Sequence, residues 1–187
     1  MKSAPNLVLV GPMGAGKSSI GKRIAGRFGL AFVDADREIE TRTGASVTTI
    51  FECEGEAGFR ARETATLADL LHGEGQVIAT GGGAVLDAGN RALMRDRGFV
   101  VHLHVSLARQ LERLARDRTR PLLAGDDRAD VLQSLSEQRA PLYAEVADLR
   151  FDTNTLFPPQ AALQLCRQLE QAWTHAAAVA PAGEGAA

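Results

Sequence analysis

The sequence predicts an α/β protein with three layers, in which helices cover both faces of a central parallel sheet of about five strands. Two observations predict this class. Short apolar runs alternate with longer amphipathic runs along the chain, an order that is typical of a parallel sheet with crossover helices. Several of the short runs are almost continuously apolar, as strands covered on both faces require.

The short runs predict the strands of this sheet. In chain order they are NLVLVG, LAFVDAD, QVIATGGG, FVVHLHV and DLRFDT. The first, third and fourth are nearly all apolar, which favours the buried centre of a parallel sheet. Parallel neighbours need crossover connections, and we expect these crossovers to be right-handed.

The longer runs predict the helices. SSIGKRIAGRFG places Ile20 and Ile24 on one face and ends at Gly29. SLARQLERLARD begins with Ser106, a residue type that caps helix N-termini. PPQAALQLCRQLEQAWTHAA begins with prolines, and we expect Trp173 to anchor this last helix. EAGFRARETATLADLLHG has residues at helical spacing, namely Phe59, Glu63, Leu67, Leu70 and Leu71.

Length and composition favour a single domain. The chain has 187 residues, and its hydrophobic fraction of 45% is sufficient for a packed core. We expect the domain to span residues 1-175, followed by a disordered tail over 176-187, where AAAVAPAGEGAA consists mainly of small residues. RDRTRPLLAGDDRAD lacks a periodic pattern, so we expect a lid near residues 116-126.

Several classes of protein are disfavoured. The formal charge is −2 and no basic stripe is visible, which argues against a nucleic-acid-binding protein. No apolar run approaches the roughly 20 residues of a membrane span, and MKSAPN is not a signal peptide. Cys53 and Cys166 are far apart in sequence and indicate a reducing compartment. We expect a cytoplasmic monomer that binds neither nucleic acid nor membrane.

A glycine-rich loop follows the first predicted strand. GPMGAGKS, residues 11–18, fits the pattern G-x-x-x-x-G-K-[ST] and leads into a predicted helix. Glycines let successive backbone N–H groups converge on phosphate oxygens. Lys17 adds a mobile charge for the β- and γ-phosphates, and Ser18 offers a hydroxyl to Mg²⁺. The loop therefore predicts a nucleoside triphosphate site, although GTPases, ATPase motors and small-molecule kinases all share it.

Two further motifs bear on the acceptor of the phosphate. Asp34 and Asp36 end the second strand on one side of it, where one carboxylate could reach Mg²⁺ and the other could hold a hydroxyl; the alternative is a cap for the next helix. The glycines at 81–83 end the third strand, at the edge where open α/β sheets bind ligands. The alternative there is a plain tight turn.

Four arginines are candidates for anion binding. Arg60, in FRARE, is expected to open a helix, and Arg139, in EQRAPLY, to close one. Each offers a bidentate fork to a carboxylate, although either alone could be a solvated surface residue. Arg118 and Arg120, in the predicted lid, could approach a transferring phosphoryl group.

The motifs together resemble those of the shikimate kinase family. GPMGAGKS, DAD, FRARE, TGGGAV, RTRPLL and QRAPLY occur in the family's order, and RARETATL is followed nine residues later by VIATGGGAV. The resemblance covers about residues 5 to 172. It implies a P-loop kinase fold and transfer of the ATP γ-phosphate to the 3-hydroxyl of shikimate, with Mg²⁺ as cofactor and with shikimate and ATP as partners.

The resemblance also implies roles for individual residues. Asp34 would support Mg²⁺ through water, and Asp36 would grip the acceptor hydroxyls and accept the proton. Arg120 would close on the phosphates as the lid arginine, a duty that Arg118 could share. The other ATP-binding residues would be Gly14, Ala15, Gly16, Lys17, Ser18, Ser19, Arg113 and Pro158, with adenine between the last two. The shikimate pocket would be completed by Phe59, Arg60, Gly82, Gly83 and Arg139.

Two other functions stay open at this point. A related small-metabolite kinase, such as a gluconate kinase, is disfavoured by the paired Arg60 and Arg139. A nucleotide-dependent switch or interaction module is disfavoured by Asp36 and its pocket. His102 and His104 alternate on a buried strand without a visible partner cluster, so we interpret them as packing residues.

Overall fold

A computed structural model describes residues 1–115 and 127–175. The predicted fold class is confirmed, because five parallel strands form one sheet. Its strands are β2 (Asn6–Val10), β3 (Ala31–Asp34), β4 (Gln76–Ala79), β5 (Gly98–His104) and β6 (Leu149–Asp152). Their order across the sheet is β3-β4-β2-β5-β6. A separate two-stranded parallel sheet pairs β1 (Lys2–Ala4) with β7 (Trp173–His175).

Helices connect the strands of the sheet. They are α1 (Lys17–Phe28), α2 (Ala35–Thr43), α3 (Val47–His72), α4 (Ala88–Arg97), α5 (Leu107–Leu114), α6 (Arg128–Val146) and α7 (Pro158–Ala172). Capping follows the sequence: α1 ends at Gly29, which has a φ of 67°, and Ser106 accepts a hydrogen bond from Arg109 N at the start of α5.

The core lies in two layers, one on each face of the sheet. Leu7 and Leu9 of β2 pack against one layer, and Val8 and Val10 pack against the other. The first layer is built mainly by α1 and α7, and the second mainly by α3, α4 and α6. Because successive strand residues face opposite sides, the continuous apolar run of β2 is what a sheet buried on both faces requires.

Three local expectations are corrected by the structure. The last helix ends at Ala172, and Trp173 lies in β7. The indole Nε1 of Trp173 donates to Ala4 O over 3.1 Å. The segment after Ala172 pairs with β1 as a strand although its sequence continues the helical pattern. Arg139 lies inside α6 and does not close it, because α6 continues through Pro141 and buries Tyr143 and Val146 beyond it. Arg60 lies in the second turn after the break at Gly55, where the φ is 71°.

The predicted lid near 116-126, with Arg118 and Arg120, and the predicted tail over 176-187 lie outside the described residues. In the described ranges, no helix combines the length and the apolar character that crossing a bilayer requires.

Candidate active site

A cleft of about 1090 Å³ lies at the carboxyl ends of β2, β3 and β4. Parallel strands bring their following loops to one edge of a sheet, so residues distant in sequence meet there. Predicted site residues that line the cleft are Gly16, Lys17, Ser18, Ser19, Asp34, Asp36, Phe59, Arg60, Gly82, Gly83 and Arg139. The structure therefore brings most of the predicted nucleotide and acceptor residues into one space.

The glycine loop has the backbone conformation that its sequence predicts. Gly14 and Gly16 have φ values of 75° and 93°, in the region that L side chains rarely adopt. At Gly11, any Cβ would collide with the Leu103 carbonyl oxygen of the neighbouring strand. Gly16, the N-cap residue of α1, has no side chain that could cap the helix. The helix N-terminus thus opens directly onto the loop, as an anion site requires.

Lys17 folds back over this loop. Its Nζ atom donates to Gly11 O over 2.6 Å and to Pro12 O over 3.0 Å. The ammonium group is therefore held at the mouth of the loop, where phosphate oxygens would meet it. Ala15 is buried behind the loop, and Ser19 is exposed beside it.

Ser18 and Asp34 form a pair of oxygen ligands next to Lys17. The Ser18 hydroxyl donates to Asp34 Oδ2 over 2.5 Å. Asp34 Oδ1 accepts from Arg37 N over 3.4 Å, so this residue also caps α2. Both interpretations of Asp34 are thus compatible with its geometry. Because Mg²⁺ prefers hard oxygen ligands and retains several waters, the two groups fit a magnesium site shared with phosphates.

The three glycines after β4 make room for protein side chains. A Cβ on Gly81 would collide with Glu63 Oε1 and lie 2.9 Å from Asp36 Oδ1. A Cβ on Gly83 would collide with the Arg60 guanidinium. Here the structure differs in part from the sequence-based interpretation. The space that a side chain at Gly81 or Gly83 would take is filled by charged side chains of the pocket itself.

Glu63 is a site residue that sequence reasoning missed. Its side chain is 2% exposed and lies 2.6 Å from Arg60 Nη1. Burial raises the pKa of the Glu63 carboxyl, and Arg60 opposes that rise. No donor within the described ranges meets its Oε1 atom. The signal was present in the sequence, because a glutamate at an apolar helix position needs a buried partner.

Arg60 and Arg139 reach the cleft from different helices, α3 and α6. Arg60 also donates to Glu56, and its Cζ atom lies 5.3 Å from the Phe59 ring. Arg139 is only 5% exposed, and no acceptor among the described residues meets its Nε atom. A surface role is therefore excluded for Arg139 by its burial.

The predicted adenine pair lies outside the cleft lining. Arg113 donates to Gly14 O over 2.8 Å and to Thr153 O over 2.5 Å, which ties the glycine loop to the segment after β6. Pro158 is the first residue of α7 and follows that same segment. Arg113 therefore contacts the segment that leads to Pro158.

A phosphate loop that continues into a cleft with a carboxylate and two arginines can move a phosphoryl group onto a small anionic acceptor. The fold and the site thus define a P-loop kinase of small molecules, a phosphotransferase. A family model described as shikimate kinase matches residues 13–170. The chain belongs to the shikimate kinase family.

Individual relatives agree with this assignment. A shikimate kinase from Xanthomonas campestris pv. campestris is 55% identical over 92% of this chain and 96% of its own length. The structure of a shikimate kinase from Acinetobacter baumannii in complex with shikimate matches with a TM-score of 0.84 and 45% identity, over 90% of this chain and 92% of that one. A gluconokinase from Sinorhizobium meliloti has a TM-score of 0.60 and 19% identity, over 91% and 94% of the two chains. The last similarity shows the fold alone.

Proposed function

We propose that the protein is an ATP-dependent shikimate kinase. It transfers the γ-phosphate of ATP to the 3-hydroxyl of shikimate and gives shikimate 3-phosphate and ADP, in the pathway to chorismate and the aromatic amino acids. One observation carries the proposal: Asp36, Arg60 and Arg139 line the same cleft as the Lys17 phosphate loop. The family membership and the shikimate-bound relative support the identity of the acceptor.

The acceptor end of the cleft supplies recognition and base chemistry. Two guanidinium groups suit a planar carboxylate, because each can donate two parallel hydrogen bonds. Asp36, in the first turn of α2, would orient the 3-hydroxyl and accept its proton. Gly82 and Gly83 would form the wall of this pocket, with Phe59 as an apolar side. The phosphoryl group would then pass directly between the substrates, without a phosphoenzyme.

The nucleotide end of the cleft supplies charge. Lys17, held over the loop by two backbone carbonyls, would turn to the β- and γ-phosphates and stabilise negative charge there. Ser18 would bind Mg²⁺ directly and Asp34 would bind it through water. When bound, the ion would neutralise charge on the phosphates and hold them in line with the acceptor.

The assembly and location follow from the same proposal. We propose that the enzyme acts as a monomer. ATP and the aromatic pathway would place the enzyme in the cytoplasm.

A coupled assay of ADP release tests the proposed function. We expect ADP release to depend on shikimate and on Mg²⁺, and gluconate to be a poor acceptor. Lys17→Met is the matched control, since it removes the loop charge and should abolish most turnover in a folded protein. ADP release that is independent of shikimate, or faster with gluconate, would contradict the proposal.

A further inference from the structure

We propose that Tyr143 is a positioning residue whose hydroxyl holds two walls of the acceptor pocket in place, the Gly82 backbone and the Arg139 guanidinium. The inference rests on the proposed function for the meaning of that pocket. Tyr143 does not line the cleft, so it would act through the two groups it contacts.

The Tyr143 hydroxyl lies between these groups. It donates to Gly82 O over 2.5 Å, and the Arg139 guanidinium lies near enough to the same phenol to oppose the rise of its pKa. A Cβ placed on Gly82 would lie 3.6 Å both from Tyr143 Oη and from Arg139 Nη1. The phenol oxygen, the Gly82 backbone and the Arg139 guanidinium thus meet at one place beside the pocket. Because a phenol both donates and accepts, it can serve both partners at once.

Burial keeps the phenol in the form that donates. Tyr143 is 3% exposed, and burial raises its pKa to about 12, against the opposing effect of Arg139. The proton thus stays on the oxygen throughout the range in which enzymes work. Since Arg139 is also buried, a loss of the phenol oxygen would remove a polar group from beside a desolvated cation.

The orientation of the phenol ring is fixed by β5. The His102 ring stacks on the Tyr143 ring, with 5.0 Å between centroids and an angle of 28°. Burial, with smaller effects of His104, Arg150 and Lys17, lowers the His102 pKa to about 4. The imidazole is therefore neutral and adds no charge near the guanidinium. A central strand of the sheet thus supports the ring through a stacked pair.

A purely structural role would make different predictions from a positioning role. A buried aromatic ring that only fills space would lower stability when it is changed, without a selective effect on shikimate. Tyr143→Phe keeps the ring and the stack but removes the oxygen. Val146→Ala is the matched control: Val146 is 2% exposed in the same helix and the same core layer, and it lies three residues further along α6.

Steady-state kinetics and hydrogen exchange together decide the question. For Tyr143→Phe we expect the KM for shikimate to rise about tenfold, the effect of roughly one hydrogen bond to a charged group. We expect the KM for ATP to change less than about twofold. Amide exchange over residues 79–86, measured without substrate, should accelerate in Tyr143→Phe. Val146→Ala should lower the Tm but leave both KM values and the exchange of this segment unchanged.

A second readout leaves the amino-acid sequence unchanged. Tyr143 is the single tyrosine of the chain, so uniform 3-fluorotyrosine labelling gives one ¹⁹F signal. Shikimate should shift this signal and gluconate should not. A folded Tyr143→Phe enzyme with the wild-type KM for shikimate, unchanged exchange over 79–86, or an unresponsive ¹⁹F signal would each overturn the positioning role. A wild type that phosphorylates no shikimate overturns the proposed function instead, while the exchange experiment still tests the Tyr143 contact.

Discussion

Arg60 and Glu63 form an ion pair of 2.6 Å in which the carboxylate is almost completely buried, with its side chain 2% exposed. Burial raises the pKa of Glu63 in spite of the neighbouring guanidinium. The charged form of Glu63 is therefore a cost to folding. The pair orients Arg60 at the acceptor pocket at the expense of stability.

The first prediction follows from that cost. Relative to the wild type, Glu63→Gln should gain unfolding free energy as the pH rises from 5 to 7, because only the wild type must ionise a buried carboxyl over this range. It should also raise the KM for shikimate, because Arg60 loses its anchor. Since folding raises the pKa of Glu63 above its usual 4.5, the contribution of Glu63 is present below pH 4.5 and is lost as the pH rises through the folded pKa. Urea unfolding at pH 5 and pH 7 should show the larger gain at pH 7, and an equal or smaller gain there would contradict this account.

The second prediction concerns the proposed base. Asp36→Asn keeps the size of the side chain but removes its ability to accept a proton, so kcat should fall at least about 100-fold. The KM for ATP should stay within about twofold, because the phosphate loop is unchanged. Rapid-quench measurement of a single turnover checks the chemical step directly. A fall in kcat of less than tenfold would reduce Asp36 to a binding role.

The third prediction concerns the carboxylate contact. Arg139→Ala should raise the KM for shikimate strongly and that for ATP little, since a charged hydrogen bond contributes roughly 1.5–3 kcal/mol. Arg167→Ala, an exposed arginine of α7, is the matched control and should change neither. A shikimate analogue with an alcohol in place of the carboxylate should lose affinity for the wild type but little more for Arg139→Ala. Equal losses in both enzymes would show that Arg139 does not contact that group.

The fourth prediction uses the pH dependence of stability. His102 has a pKa of about 4 in the folded protein and an ordinary value of 6.5. Between these values the unfolded chain binds a proton that the folded protein excludes, so stability falls as the pH drops from 6.5 towards 4. His102→Phe keeps an aromatic ring on Tyr143 and cannot titrate. As the pH drops from 6.5 to 4, the unfolding free energy of His102→Phe should increase relative to that of the wild type, by at most about 3 kcal/mol. Unfolding free energies that change equally with pH in both proteins would contradict this prediction.

The fifth prediction compares two glycines of α1. A Cβ on Gly21 would lie 2.7 Å from the Phe32 ring and 2.9 Å from a Leu9 methyl, whereas nothing lies within 4 Å of one on Gly26. Gly21→Ala should therefore destabilise the protein by about 1–3 kcal/mol through overpacking. Gly26→Ala should stabilise it by up to about 1 kcal/mol through helix propensity. Thermal unfolding of both variants checks the opposite signs.

The sheet could be predicted from the sequence because its strands are encoded locally. Buried parallel strands need continuous apolar runs, and the glycine at the end of α1 and the serine before α5 are local signals for helix ends. The pairing of β1 with β7 could not be predicted, because Trp173 continues a helical pattern and its partner lies 169 residues away at Ala4. Nothing in the neighbourhood of either segment indicates the other.

The candidate site likewise contains residues that the sequence predicts and residues that it does not. Lys17, Ser18 and Asp36 belong to motifs in which residue type and spacing carry the chemistry. Glu63 and Tyr143 matter through contacts made across the fold, and each stands in a helix where it fits an apolar pattern. A buried polar group at an apolar position is a signal for such residues, but its partner becomes visible only in three dimensions.

The small β1–β7 sheet has a consequence for synthesis. A chain is synthesised from its N-terminus, so Lys2–Ala4 emerges before the other elements in the described ranges. The strand it pairs with, Trp173–His175, follows all the other described elements. The main sheet can close earlier, once β6 has emerged. β1 therefore cannot pair with β7 until the strands of the main sheet have emerged, so the small sheet forms after the main sheet can close.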